Sequence, residues 1–337
     1  MFNKFLERYG SHLEEEMQRT VSRYDNLPAA FATMIRYPMG WDDADGTPYP
    51  HPTGKRIRPV LLLLCAEAAG GHWKHALPAA AAVELLHNFS LVHDDIQDNS
   101  DTRHNRPTVW KVWGQPLAIN AGDAMFALSY DALSRLQGTL DPATVLSIWN
   151  IYNETIVELT RGQYLDMQFE TMMDITTDDY LSMIAGKTAA LLAAACQMGA
   201  LIGSGDAEKA AHFHTFGLNL GLAFQVRDDI LGIWGQPDQT GKSAATDIIS
   251  RKKSLPVLFG LSKSDDLRKI YEHPHTDNME VQQAVGILDE VGAADFTRGL
   301  ETSYYEHAQQ AFAATGASGD AVDMLNQLVD ALFGRSH

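Results

Sequence analysis

The sequence predicts an all-α protein, and three observations carry that reading. Apolar residues recur at helical spacing along most of the chain. Strand-like alternation is nearly absent. Pro78, Pro116 and Pro142 stand where helices would begin, where a missing N–H costs no hydrogen bond. A first amphipathic helix is expected from about Phe2 to Ile35, followed by a loop, RYPMGWDDADGTPYPHPTGKR, rich in Pro, Gly and Asp. Apolar segments follow over residues 60–70, 77–98, 116–137, 142–171, 178–201 and 207–233. A polar stretch, GQPDQTGKSAATDIISRKKS, separates them from shorter helical segments that run to the end. No low-complexity tract or composition break divides the 337 residues, so one domain over residues 1–337 is the economical expectation.

Hydrophobic residues make up 45% of the chain and charged ones 20%, enough apolar material for a sizeable core. Asp and Glu number 43 against 26 Lys and Arg, a net charge of -17. That acidity argues against nucleic acid or an anionic membrane as the main partner, because both reward positive fields. Cys65 and Cys196 lie in apolar stretches and read as buried, reduced thiols of a cytoplasmic protein. The acidic N-terminal segment lacks the apolar run of a signal peptide. The longest uninterrupted apolar candidate, Leu77 to Leu86, is short and contains Glu84, so no bilayer-spanning segment is expected.

The segment VELLHNFSLVHDDIQDNSDTRHNRPT holds Asp94, Asp95 and Asp98, with Arg103 and Arg106 just after. Asp94 and Asp98, four apart, share a helical face above His87 and Leu91. Neighbouring carboxylates repel unless a cation lies between them. Magnesium is the natural candidate, since it takes one or two carboxylates together with phosphate oxygens. A solvated acidic helix end is the plainer alternative. The segment GLAFQVRDDILGIWG holds Asp228 and Asp229 in apolar surroundings, with Gln225 on the same face as Asp228. Desolvated carboxylates need a metal or a cationic partner. Two such clusters in one helical chain suggest facing helices that share a metal-diphosphate group.

Three basic groups complement the acids. Gly54-Lys55-Arg56-Ile57-Arg58-Pro59 ends the long loop and opens a helix, a place suited to phosphate oxygens. Lys187 of Gly186-Lys187-Thr188 interrupts an apolar helix and on its own reads as a snorkelling side chain. Lys242, Asp247, Arg251, Lys252 and Lys253 follow the second acid cluster and read as a lid over a bound polyanion.

Taken together these residues resemble the trans-isoprenyl diphosphate synthase (polyprenyl synthetase) family, and within it the geranylgeranyl diphosphate synthases. The landmarks are GKRIRP, LVHDDIQD followed by TRHNRPT, AINAGDA, RGQYLDM, GKTAALL, FQVRDDILG and TGKSAATDIISRKKSLP. They stand in the family's order over residues 54–256. The resemblance implies the isoprenoid synthase fold, in which antiparallel helices surround a deep apolar cavity with both aspartate motifs at its mouth. It also implies a homodimer. It assigns Lys55, Arg58 and His87 to isopentenyl diphosphate, and Arg103, Lys187, Lys242 and Lys252 to an allylic diphosphate. Asp94, Asp98 and Asp228 would bind three magnesium ions, supported by Asp95 and Asp229. Gln225 and Thr188 would face the allylic unit, where positive charge develops. The implied reaction ionises the allylic diphosphate and joins it head to tail to isopentenyl diphosphate.

Two departures from the family pattern stand out. Relatives carry two adjacent arginines after the first motif, where this chain reads Arg103, His104, Asn105, Arg106. His104, when protonated, or Arg106 would take the second arginine's place on isopentenyl diphosphate. Gly232 stands where many relatives have a third aspartate. Phe89 matches the family's chain-limiting aromatic position, yet ideal helix geometry puts it about 140° from Asp94. Ser90, about 40° away, should line the cavity. A twenty-carbon product is favoured, with farnesyl and geranylfarnesyl diphosphate as alternatives. A class I terpene cyclase and a non-catalytic subunit are the rival functions. A di-metal oxygen-binding bundle would need Glu-x-x-His pairs near the acids, and none occurs there.

Overall fold

The computed structural model describes residues 2–24, 26–49, 54–235, 245–272 and 278–334. Helices make up nearly all of it. α1 (Phe2–Phe5) runs through a π-helical turn, Leu6–Gly10, into α2 (Ser11–Val21). The helix expected to reach Ile35 ends there, and α3 (Ala29–Arg36) starts afresh after Pro28. Proline has no N–H to bond to the preceding turn and disfavours helical geometry at the residue before it. Its ψ of 136° redirects the chain before α3 begins.

α4 (Ile57–Ala68) and α5 (Leu77–Gln97) come next, Pro78 standing in the first turn of α5. A short antiparallel hairpin, β1 (Thr102–Arg103) with β2 (Arg106–Pro107), follows, an element not expected from the apolar pattern. Its turn residues His104 and Asn105 have φ of 52° and 60°, the pattern of a two-residue type I′ turn. α6 (Val109–Trp113), α7 (Gln115–Ser134) and α8 (Pro142–Thr171) lead to α9 (Thr177–Ile184) and α10 (Ala190–Ser204). A π-helical turn, Ala185–Ala189, joins α9 to α10, so the segment expected at 178–201 is helical but not uniformly α. α11 (Ala207–Trp234), α12 (Thr246–Ile249), α13 (Leu255–Lys263), α14 (Asp265–Glu272), α15 (Asn278–Glu290), α16 (Ala293–Ala314) and α17 (Asp320–Leu332) complete the chain.

The chain divides into two compact units. The first comprises Met1–Trp149, Met198–Lys209 and Ser318–Ala331. Its centre is α5, against which α2, α4 and α7 pack. Ala79 to Ala82 are wholly buried and let neighbouring helices come close, while Leu61 to Leu64 of α4 fill the space between. The second unit comprises Asn150–Gln197, Ala210–Ala317 and Leu332–His337. Its core gathers Tyr180 and Ile184 of α9, Val226 and Ile230 of α11, and Leu255 and Leu258 of α13.

The stretch Thr177–Ser204, rather than Leu77–Leu86, is long and apolar enough to cross a membrane by length and composition. Burial of 72% of its apolar window inside the protein marks it as a core helix. Cys65 and Cys196 are both buried.

Candidate active site

In the first unit the acids gather at the C-terminal end of α5. Asp94 is half-buried, Asp95 buried and Asp98, the C-cap, exposed. Arg103 reaches back from β1 to this turn. Its Nε donates to Asp95 Oδ1 at 2.8 Å, and its Nη2 lies 3.5 Å from Asp94 Oδ2. Burial raises the Asp95 pKa, with the charge and hydrogen bond of Arg103 pulling it down. The hairpin therefore delivers a guanidinium to the carboxylates.

A second cationic group lies at the start of α4. Arg58 Nη1 is 3.2 Å from His87 Nε2, and the buried Arg58 Nε has no hydrogen-bond partner. Burial, then the charges of Arg58, Arg103 and Arg56 and the His104 imidazole, hold the His87 pKa well below the ordinary imidazole value. Lys55 is exposed beside them. Arg56 faces the other way. With φ of 49° it tucks its guanidinium inside, donating to Glu14 at 2.9 Å, Glu84 at 2.8 Å and Met39 O at 2.8 Å. This buried group pins the loop to α2 and α5 and leaves Lys55 and Arg58 on either side of it.

The two candidates for the second arginine separate clearly. Arg106 lies between the rings of Tyr37 and Tyr49, 3.9 and 4.2 Å from their centroids. It donates to Tyr37 O at 3.1 Å, Asp42 O at 2.8 Å and Asp43 Oδ1 at 3.2 Å. Those contacts commit it to the loop before α4. His104 is exposed, and partial desolvation and the charges of Arg103 and Arg56 lower its pKa.

In the second unit Asp229 is the hub. It is 0% exposed. Tyr180 Oη donates to its Oδ2 at 2.7 Å and the Leu255 backbone N–H to the same oxygen at 3.2 Å. Gln225 Nε2 donates to Oδ1 at 3.3 Å, and Lys252 Nζ lies 3.8 Å from it. Burial raises the Asp229 pKa, opposed by Lys252, Tyr180 and the Leu255 N–H. Thr188 Oγ1 donates to Gln225 Oε1 at 3.0 Å. Asp228, next door, is exposed.

Lys187 stands on the π-helical turn and pairs with Asp166 of α8. The two segments cross almost backbone to backbone, since a Cβ on Gly162 would meet Lys187 N at 2.1 Å and one on Gly186 would meet Glu158 O at 2.6 Å. Burial opposes the charge on Lys252, but Asp229, Asp247 and Asp166 together raise its pKa. Its neighbours in the basic run turn elsewhere. Arg251 donates to Ile270 O at 2.9 Å, and Lys253 donates to Phe169 O and Glu170 O, each at 3.0 Å, at the end of α8. Lys252 thus meets the acids, while Arg251 and Lys253 make these bonds to backbone carbonyls. Lys242 lies outside the described residues.

Asp247 is the residue sequence reasoning undervalued. A Cβ on Gly232 would come within 2.5 Å of its carboxylate, and its buried Oδ2 has no hydrogen-bond partner. The carboxylate of α12 thus occupies the space that a side chain at the third motif position would take. Glycine at that position was the available signal. Every candidate metal donor here is a carboxylate oxygen, a set suited to a hard divalent cation. Among the described residues no three His, Cys, Asp or Glu side chains converge to hold a metal by themselves.

Phe89 packs its ring 4.7 Å from His93 and 5.0 Å from Phe126 of α7, and Phe126 continues to Tyr130 at 5.4 Å. Ser90 Oγ donates to His87 O at 2.7 Å.

The family model for polyprenyl synthetase matches residues 47–288. The (2E,6E)-farnesyl diphosphate synthase of Mycobacterium tuberculosis is 44% identical over 235 residues, 70% of this chain and 64% of that protein. The chain thus matches a little under two thirds of that relative's length. The geranylgeranyl diphosphate synthase of the same organism is 40% identical over 273 residues, 80% of this chain and 77% of its own length. A crystal structure of a polyprenyl synthetase from Streptomyces coelicolor superposes with a TM-score of 0.86 at 33% identity, covering 98% of this chain and 99% of that one. The all-α architecture is that of the isoprenoid synthases. The chain belongs to the polyprenyl synthetase family.

Proposed function

We propose that this chain is a magnesium-dependent prenyltransferase that condenses isopentenyl diphosphate head to tail with allylic diphosphates, giving a short-chain product of twenty carbons. The observation that carries the reading is the pairing of acids with cations in each unit. Asp94 and Asp95 meet Arg103, and Asp166 and Asp229 meet Lys187 and Lys252. We propose that the acids of each group help diphosphate to depart, and that residues 1–337 act as one domain. The family match, which takes in residues from both units, supports that view.

Asp94, Asp98 and Asp228 would hold three magnesium ions, which supply positive charge to the leaving diphosphate. Arg103, Lys187, Lys252 and Lys242 bind the same anion, and donors fixed in advance favour the charge that develops as the C–O bond breaks. Asp95 orients Arg103, and Asp229 orients Gln225 and Lys252. The oxygens of Thr188 and Gln225 face the allylic carbons as they become positive. Lys55, Arg58, His87 and His104 bind isopentenyl diphosphate, whose double bond attacks the cation. A proton then passes to the released diphosphate. Apolar side chains keep water from the cation.

Phe89, backed by Phe126, sets the twenty-carbon limit. A fifteen-carbon product is the second reading, favoured by the likeness to the mycobacterial farnesyl diphosphate synthase. Leu146, Val157 and Tyr164 leave large apolar surfaces exposed along α8, which fits contact with a second copy of the chain. Two buried cysteines in a chain with no others fit a cytoplasmic protein.

Incubating the purified chain with radiolabelled isopentenyl diphosphate, an allylic diphosphate and magnesium, then chromatographing the dephosphorylated product, tests the reading. A longer prenyl alcohol is expected only when both substrates are present. A hydrocarbon released from geranylgeranyl diphosphate alone would indicate a cyclase, and no product at all a non-catalytic subunit.

A further inference from the structure

We propose that Tyr180 is a positioning residue for the condensation, acting through Asp229 to fix the Gln225 side chain against Thr188. The inference rests on the function proposed above and adds a residue that touches neither substrate.

The argument starts from a buried carboxylate. Asp229 is 0% exposed, so it depends on protein donors in place of water. On Oδ2 these are the Tyr180 hydroxyl at 2.7 Å and the Leu255 N–H at 3.2 Å. Both are rigid. Leu255 contributes backbone at the start of α13. Tyr180 is packed into the core of its unit on α9, whose first turn is locked by a capping box between Thr176 and Asp179. Two rigid donors on one oxygen fix the plane of the carboxylate and so the direction of Oδ1.

That second oxygen sets the next link. Gln225 Nε2 donates to Oδ1 at 3.3 Å, which turns Gln225 Oε1 toward Thr188 Oγ1 at 3.0 Å. An amide has two nearly isosteric orientations, and Asp229 selects the one that gives the Thr188 hydroxyl an acceptor. The lone pairs of Thr188 then stay available for a developing positive charge. Burial first, and the Asp229 charge second, raise the Tyr180 pKa well above the ordinary phenol value, so its hydroxyl remains a donor. Without that hydroxyl, Oδ2 keeps only the Leu255 N–H, and the carboxylate is free to rotate toward Lys252. Gln225 then loses its fixed acceptor.

The test is a double-mutant cycle on kcat under saturating substrates. Tyr180→Phe in the otherwise unchanged protein is expected to lower kcat about tenfold, the worth of one charge-assisted hydrogen bond, with both KM values nearly unchanged. In a Gln225→Ala background the same change is expected to cost less than about twofold, because the group it positions is gone. Asp229→Asn, which also loosens Lys252, is expected to cost more than Tyr180→Phe but to cost less in the Gln225→Ala background than in the otherwise unchanged protein, which serves if Tyr180→Phe does not fold. An equal loss in both backgrounds, a loss confined to KM, or an unchanged kcat would overturn the proposal. Absence of product from the unmutated protein would instead defeat the reading of the reaction itself.

Discussion

Arg58 points Nη1 at His87 Nε2 from 3.2 Å, and a guanidinium has no lone pair to offer. Nε2 is therefore the acceptor and His87 is neutral. Burial and the surrounding arginines act in the same direction. The unfolded chain regains the ordinary imidazole pKa of 6.5 and binds more protons than the folded one as pH falls through that value. Folding stability is thus expected to drop on acidification below about pH 6.5, and His87→Gln should flatten that part of the profile in thermal melts. Phe89 acts at the same scale. Its ring rests on Phe126 rather than standing alone. Phe89→Ala should lengthen the product, and Phe89→Ala combined with Phe126→Ala should lengthen it further, both read by chromatography. An unchanged product from both variants would remove this aromatic pair from chain-length control. The type of each of these residues was plain in the sequence. Its partner was not, because Arg58 and His87, or Phe89 and Phe126, meet only when separate helices pack.

At the scale of elements, long helices were legible because their apolar periodicity and first-turn prolines agree. α5, α7, α8 and α11 follow the expected segments closely. The break at Pro28 was missed although proline announced it, because the apolar pattern continues on both sides. The hairpin escaped notice because two-residue strands carry no periodicity, and its Asn105 turn signal was read only as part of a motif. That small element sets its two candidate cations apart. Arg106 anchors the hairpin to Tyr37, Tyr49 and Asp42, partners far earlier in the chain, while His104 stays at the tip. Arg106→Ala is expected to destabilise the protein by about 3 kcal/mol in denaturant titration, through two backbone carbonyls left without their charged donor. His104→Arg should fold normally and keep or raise turnover. A large loss of turnover would mean that the imidazole has a task an arginine cannot perform.

For the whole molecule, the order of motifs made the family readable from residues 54–256, and the family model matches 47–288. What the order of motifs left unread was the division of labour among neighbours. Asp228 is exposed and Asp229 enclosed, Lys252 turns to the acids while Arg251 and Lys253 serve other helices, and Asp247 fills the gap at Gly232. Each depends on which side of a helix is covered, a property of packing. A net charge of -17 still leaves room for local cations beside the acids, as Arg103 stands by Asp95 and Lys187 by Asp166. The central claim is that Asp94 and Asp228 each hold the divalent charge that a departing diphosphate needs. Single-turnover rates for Asp94→Asn and Asp228→Asn, each confirmed folded, address it most directly. Each variant should slow the condensation by at least about a hundredfold, since each removes a carboxylate that would hold magnesium against the leaving group. Full speed in either one would contradict the account.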